Sequence, residues 1–118
     1  LLNLAYAYRE KGMLSEAAAQ YEKLLEITPG DPLLNYNAAS VYMQSGRFDE
    51  AITHFSKALD GFASPDDRRD ALLNLGNSYT KKGDFKMARQ SYEEALRISP
   101  GDPLVIGNLR VLERMSAR

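Results

Sequence analysis

No cysteine occurs in the chain, which excludes disulfides and thiolate metal sites. Neither sign of charge is in excess. Fifteen Lys and Arg stand against 16 Asp and Glu, a net −1, so no basic surface argues for nucleic acid and no charge surplus for an anionic membrane. No apolar run approaches the roughly 18 residues of a membrane span, and no signal-peptide-like start is present. A soluble, cytoplasmic protein is the expectation. Histidine occurs once, at His54, with no carboxylate or second histidine at ligand spacing beside it. It reads as an outward-facing surface residue.

Other constellations that carry chemistry are equally scarce. The glycines, lysines and hydroxyls of Gly76-Asn77-Ser78-Tyr79-Thr80-Lys81-Lys82-Gly83 stand in the wrong order for a phosphate-cradling loop. Asp66, Asp67 and Asp70 lack the alternating ligands and glycine turn of a cation loop, and helix capping accounts for the first two. A nucleophile, base and orienter cannot be assembled. The expectation is a non-catalytic chain with no cofactor and no metal.

What the sequence does hold is one pattern written three times: Leu4-Ala5-x-x-Tyr8, Ala38-Ala39-x-x-Tyr42 and Leu75-Gly76-x-x-Tyr79. Each copy continues at fixed offsets through Gly12, Gly46 and Gly83, then Leu14, Phe48 and Phe85, then Ala17, Ala51 and Ala88, then Tyr21, Phe55 and Tyr92. Gly12 and Gly46 are 34 residues apart, whereas Gly46 and Gly83 are 37 apart, so the second unit, counted from glycine to glycine, carries a three-residue insertion. The spacing places small residues where paired helices cross closely, and the aromatics between helices as the large core side chains.

This pattern resembles the tetratricopeptide repeat, a helix-turn-helix unit of about 34 residues with an L-G-x-x-Y…A-x-x-x-F…P signature. The resemblance implies an all-α, right-handed α-solenoid of antiparallel helix pairs, about seven helices in one domain over 1–118. Repeat 1 would be 1–31 and truncated at its N-terminus, repeat 2 would be 32–65, repeat 3 would be 66–102, and 103–118 would be a capping helix. Because the first residue already sits inside the pattern, a fragment of a longer protein is expected. In the last helix Arg110 takes the small position and Glu113 the tyrosine position, as a terminal element should. Its Leu104, Val105, Ile106, Leu109, Val111, Leu112 and Met115 form a wide apolar face.

Local signals set the helix limits. Pro29-Gly30-Asp31-Pro32 and Pro100-Gly101-Asp102-Pro103 each stop one helix and start the next, with Asp at the N-cap and Pro first. Ser64-Pro65-Asp66-Asp67 does the same, with two acids in the first turn. Helices are expected near 1–11, 15–28, 32–45, 49–61, 65–82, 86–99 and 103–117, and the extra residues should lengthen the fifth helix or the loop before it.

In the family, the first helix of each pair lines a concave binding face. Carried onto this chain, the peptide-binding candidates are Asn3, Tyr6, Tyr36, Asn37, Ser40, Met43, Asn74, Asn77, Lys81 and Asn108. Asn3, Asn37, Asn74 and Asn108 recur two residues before the small position. Asparagine both donates and accepts, so such a row can satisfy the backbone of an extended peptide whatever its side chains. A subgroup of the family grips acidic chaperone C-termini with lysines and an arginine, and those places here hold Leu2, Asp70 and Asn74. The expected partner is therefore a protein or peptide segment, extended and mostly neutral or apolar, rather than an acidic chaperone tail, a nucleic acid or a membrane. The alternative is a structural element that forms homo-oligomers or stacks through its terminal helices.

Overall fold

A computed structural model describes residues 2–117. Seven α-helices and no strand occur among the described residues: α1 Leu2–Glu10, α2 Leu14–Ile27, α3 Pro32–Gln44, α4 Phe48–Gly61, α5 Pro65–Lys82, α6 Phe85–Ile98 and α7 Pro103–Ser116. Each described boundary lies within one residue of that expected from caps and periodicity. Leu1, where the first helix was expected to begin, lies outside the described residues, as does Arg118.

The chain divides after Gly61 into two compact units. In unit 1, α1 packs on α2, α2 on α3, and α3 on α4; in unit 2, α5 packs on α6 and α6 on α7. The small positions serve as the sequence requires: Ala5, Ala17, Ala39, Ala51 and Ala88 have no solvent exposure, and Gly76 is buried. Between them Tyr21, Phe55 and Tyr92 are almost wholly enclosed. Burying one such ring is worth about 1.5–3 kcal/mol, which makes these residues the main apolar anchors of their helix pairs. Tyr42 is buried too, whereas Tyr8 and Tyr79, expected to match it, are half-buried.

The first helix of each pair ends in the same way three times. Gly12, Gly46 and Gly83 have φ of 74°, 79° and 91°, which L side chains adopt only under strain. This left-handed turn lets the next amide reach back to the tyrosine carbonyl: Met13 to Tyr8 at 2.8 Å, Arg47 to Tyr42 at 2.8 Å and Asp84 to Tyr79 at 2.9 Å. Carbonyls that the helix end would orphan are thereby satisfied.

The caps also form. Asp31 Oδ1 accepts from the Leu34 amide at 3.1 Å, and Asp102 Oδ1 from the Leu104 and Val105 amides at 3.0 and 3.2 Å. Ser64 caps α5 through the Asp67 amide. Asp84, not singled out in the sequence, caps α6 by accepting from the Met87 amide at 3.2 Å. The extra residues lie in α5, which runs 18 residues against 13 for α3.

The apolar face expected for α7 is only partly a free surface. Val105 and Leu112 are fully buried in unit 2, so Leu112 belongs to the core and is not available to a neighbour. Leu104 and Val111 remain exposed, at 66% and 46%.

Candidate functional site

In unit 1 the candidate residues lie on α1 and α3. Tyr6 is 40% exposed, yet its ring meets Tyr21 edge-on at 6.4 Å, so the core fixes it from below. Its hydroxyl accepts a long hydrogen bond, 3.4 Å, from Asn37 Nδ2, which joins the two helices on this face. Tyr36 stands edge-on to Phe55 at 5.4 Å, and Ser40 Oγ donates to the Tyr36 carbonyl at 3.0 Å. Met43 is half-exposed and Asn3 is exposed. The outcome is a rigid aromatic and amide surface, with rings held by edge contacts worth about 0.5–1.5 kcal/mol beyond their burial.

In unit 2 the amides are more deeply engaged. Asn77 Oδ1 accepts from Tyr92 Oη at 2.5 Å and from Asn108 Nδ2 at 3.0 Å, so α5, α6 and α7 meet at one carbonyl oxygen. Thr80 Oγ1 lies 3.4 Å from the same Tyr92 hydroxyl, and burial pushes the Tyr92 phenol pKa up. Asn74 Nδ2 donates to the Asp70 carbonyl at 3.1 Å, while Lys81 is exposed. Asp70 itself is paired with Arg69 at 3.2 Å, and Arg69 reaches Asp66 and the α7 cap Asp102 as well. Hence Tyr6 and Asn37 are brought together, as are Asn77 and Asn108, whereas no contact draws Asn3 or Lys81 to another candidate.

The structure corrects the reading of His54. Its side chain is only 13% exposed. Nδ1 lies 2.8 Å from Asn35 Oδ1, Nε2 lies 3.2 Å from Glu22 Oε1, and the ring stacks on Tyr42 at 5.5 Å. Tyr42 Oη donates to Glu22 Oε1 at 2.6 Å, and Arg47 covers the other part of the tyrosine ring at 4.6 Å from its centroid. Glu22, Asn35 and His54 line a cleft of about 180 Å³ with Leu25, Glu26, Pro29 and Lys57. The partners of His54 are distant in sequence, which hid them. One signal was legible: fully buried Asn35 occupies the register position that holds Leu1 and Leu72 in the other copies, an amide at a core place.

The family model described as tetratricopeptide repeat matches residues 32–100, and a second, described as TPR repeat, matches residues 5–46. The chain belongs to the tetratricopeptide repeat family. Stress-induced-phosphoprotein 1 of Caenorhabditis elegans is 26% identical over 114 residues, 92% of this chain and 34% of that protein. Cellulose synthase operon protein C of Pseudomonas fluorescens is 32% identical over 85% of this chain, which spans only 8% of its length. The chain thus spans about a third or less of the length of these curated relatives. Among solved structures, the N-terminal domain of stress-induced protein-1 from C. elegans aligns with a TM-score of 0.84 at 24% identity, covering 95% of this chain and 91% of that one. The first tetratricopeptide domain of Spaghetti, solved with a bound HSP90 peptide, aligns with a TM-score of 0.86 at 23% identity, covering 99% and 90%. At these identities the likeness is one of fold, an all-α helical repeat.

Proposed function

We propose that the chain is a non-catalytic protein-interaction scaffold whose first helices bind an extended, mostly neutral or apolar segment of a partner protein. The observation that carries this reading is the paired Tyr6 and Asn37, an exposed ring held against Tyr21 and linked to a half-buried amide that spends one N–H on the link. A rigid aromatic loses little entropy on binding, and an amide with spare capacity can pair with peptide backbone. On unit 2, Asn74, Asn77, Lys81 and Asn108 would offer polar groups of the same kind. A similar fold carries a chaperone peptide in Spaghetti, which supports peptide binding as a class.

Charge argues against an acidic tail for this chain. Asp70 puts a carboxylate, and Leu2 an apolar side chain, where the chaperone-binding subgroup has cations. The test is selection from an unbiased peptide library on the wild-type chain and on the Asn37→Ala, Asn74→Ala double variant, with circular dichroism confirming that both fold. Neutral, partly apolar peptides should share a motif that the double variant fails to enrich, with binding little affected by salt. Enrichment of acidic peptides that salt releases would overturn the proposed partner chemistry.

A second reading, assembly through the terminal helices, is favoured by the exposure of Leu104 and Val111 on α7. It requires no peptide enrichment and a molecular mass that rises with concentration and falls on Val111→Lys.

A further inference from the structure

The cluster of Glu22, Asn35, Tyr42 and His54 lies within unit 1 and uses none of the candidate peptide-binding residues. Its hydrogen bonds determine where the histidine proton must be. Asn35 Nδ2 donates to the Pro29 and Asp31 carbonyls, both at 3.0 Å, which fixes the amide so that Oδ1 faces His54 Nδ1. An amide oxygen only accepts, so Nδ1 carries the hydrogen. A neutral imidazole then has a bare Nε2, and that lone pair points at Glu22 Oε1, 3.2 Å away. Glu22 cannot supply the missing proton as a carboxylate, and the Tyr42 hydroxyl hydrogen is already directed at the same oxygen. Two acceptors face each other until Nε2 gains a proton, when every donor in the cluster has an acceptor.

We propose that the Glu22–His54 contact is a proton-operated latch between α2 and the α3–α4 pair, open while the imidazole is neutral and closed when Nε2 is protonated. Glu22 can serve as the moving part because its side chain is 46% exposed; the Tyr42 hydroxyl bond holds Oε1 near α3, so opening is a small withdrawal from Nε2 and not a release of the carboxylate. His54 cannot move, being held by Asn35 and stacked on Tyr42. The charged and titratable groups around it are Glu22 and Glu26 from α2, the neutral Tyr42 phenol from α3 with Arg47 over its ring, and Glu50 and Lys57 from α4.

The sign of the pH response follows from burial. Desolvation pushes the His54 pKa down from 6.5, Glu22 raises it, Lys57 lowers it and Glu50 raises it, with burial prevailing. The latch is therefore open at neutral pH and closes below 6.5. Because the unfolded chain binds the proton first, stability present above 6.5 is lost as pH falls through the folded midpoint, and the Glu22 contact limits that loss.

Histidine occurs once, so the ring ¹⁵N resonances of the full chain are unambiguous. At pH 7.5 they should show hydrogen on Nδ1 alone, and on acidification a single midpoint below 6.5. In Glu22→Gln that midpoint should drop by about half a pH unit, a modest shift because the carboxylate is partly solvated. Hydrogen on Nε2 at pH 7.5 in the wild type, or an unmoved midpoint in a Glu22→Gln protein that melts like the wild type, would overturn the latch.

Discussion

At the scale of single residues, the same repeat position does different work in each copy. Tyr92 reaches Asn77, Phe55 has no hydroxyl and packs under Tyr36, and the Tyr21 hydroxyl is buried beside Arg9, with burial foremost in raising its pKa. Gly76 shows why one copy departs from alanine: a Cβ there would lie 2.5 Å from Tyr92 Cε1. Gly76→Ala would gain up to about 1 kcal/mol of helix propensity but force a buried, hydrogen-bonded ring to move, an overpacking cost of about 1–3 kcal/mol. A net loss of about 1 kcal/mol is expected, read as a lower urea midpoint at unchanged slope. Periodicity in the sequence located this close contact but could not name the atom on its far side. His54 was missed for the same reason, since a hydrogen bond between residues 19 apart leaves no local trace.

Elements were the most legible level, because their limits depend on neighbours in the chain. Proline first in the helix, an acceptor just before it and a left-handed glycine after the previous helix act within four or five residues, and those are the signals that placed the boundaries. Asp84 escaped because no proline follows it. The caps differ in reach. Asp31 accepts one amide, whereas Asp102 accepts two and also meets Arg69 at 3.5 Å, tying the start of α7 to α5. Asp102→Ala should cost about 1–2 kcal/mol and Asp31→Ala about 1 kcal/mol or less. Chemical denaturation checks the order, and Asp31→Ala proving the more damaging would show that the α5–α7 tie contributes nothing. Arg69→Ala, which leaves both amide bonds intact, should be milder than Asp102→Ala.

For the whole molecule, the repeat pattern identified an all-α protein and its family because three registers agree over most of the chain. It said less about the site: Asn77 and Asn108 looked like free amides in sequence, yet the structure turns them toward each other. The core tolerates little. Ala51 has no exposure at all, and Ala51→Arg would place an unpaired cation inside the α3–α4 packing. Loss of helical circular dichroism at 25 °C is the expected outcome, and an unchanged melt would show that the assigned register is wrong. A separate consequence lies in the two Pro-Gly-Asp-Pro strings. Since the chain starts both α3 and α7 from the same four residues with the same Asp cap, the stretch from Pro32 through Asp102 begins and ends on interchangeable joints. A duplicate spliced in after Asp102 would enter through a junction the protein already knows how to fold, so the molecule carries its own site for lengthening by whole helix pairs.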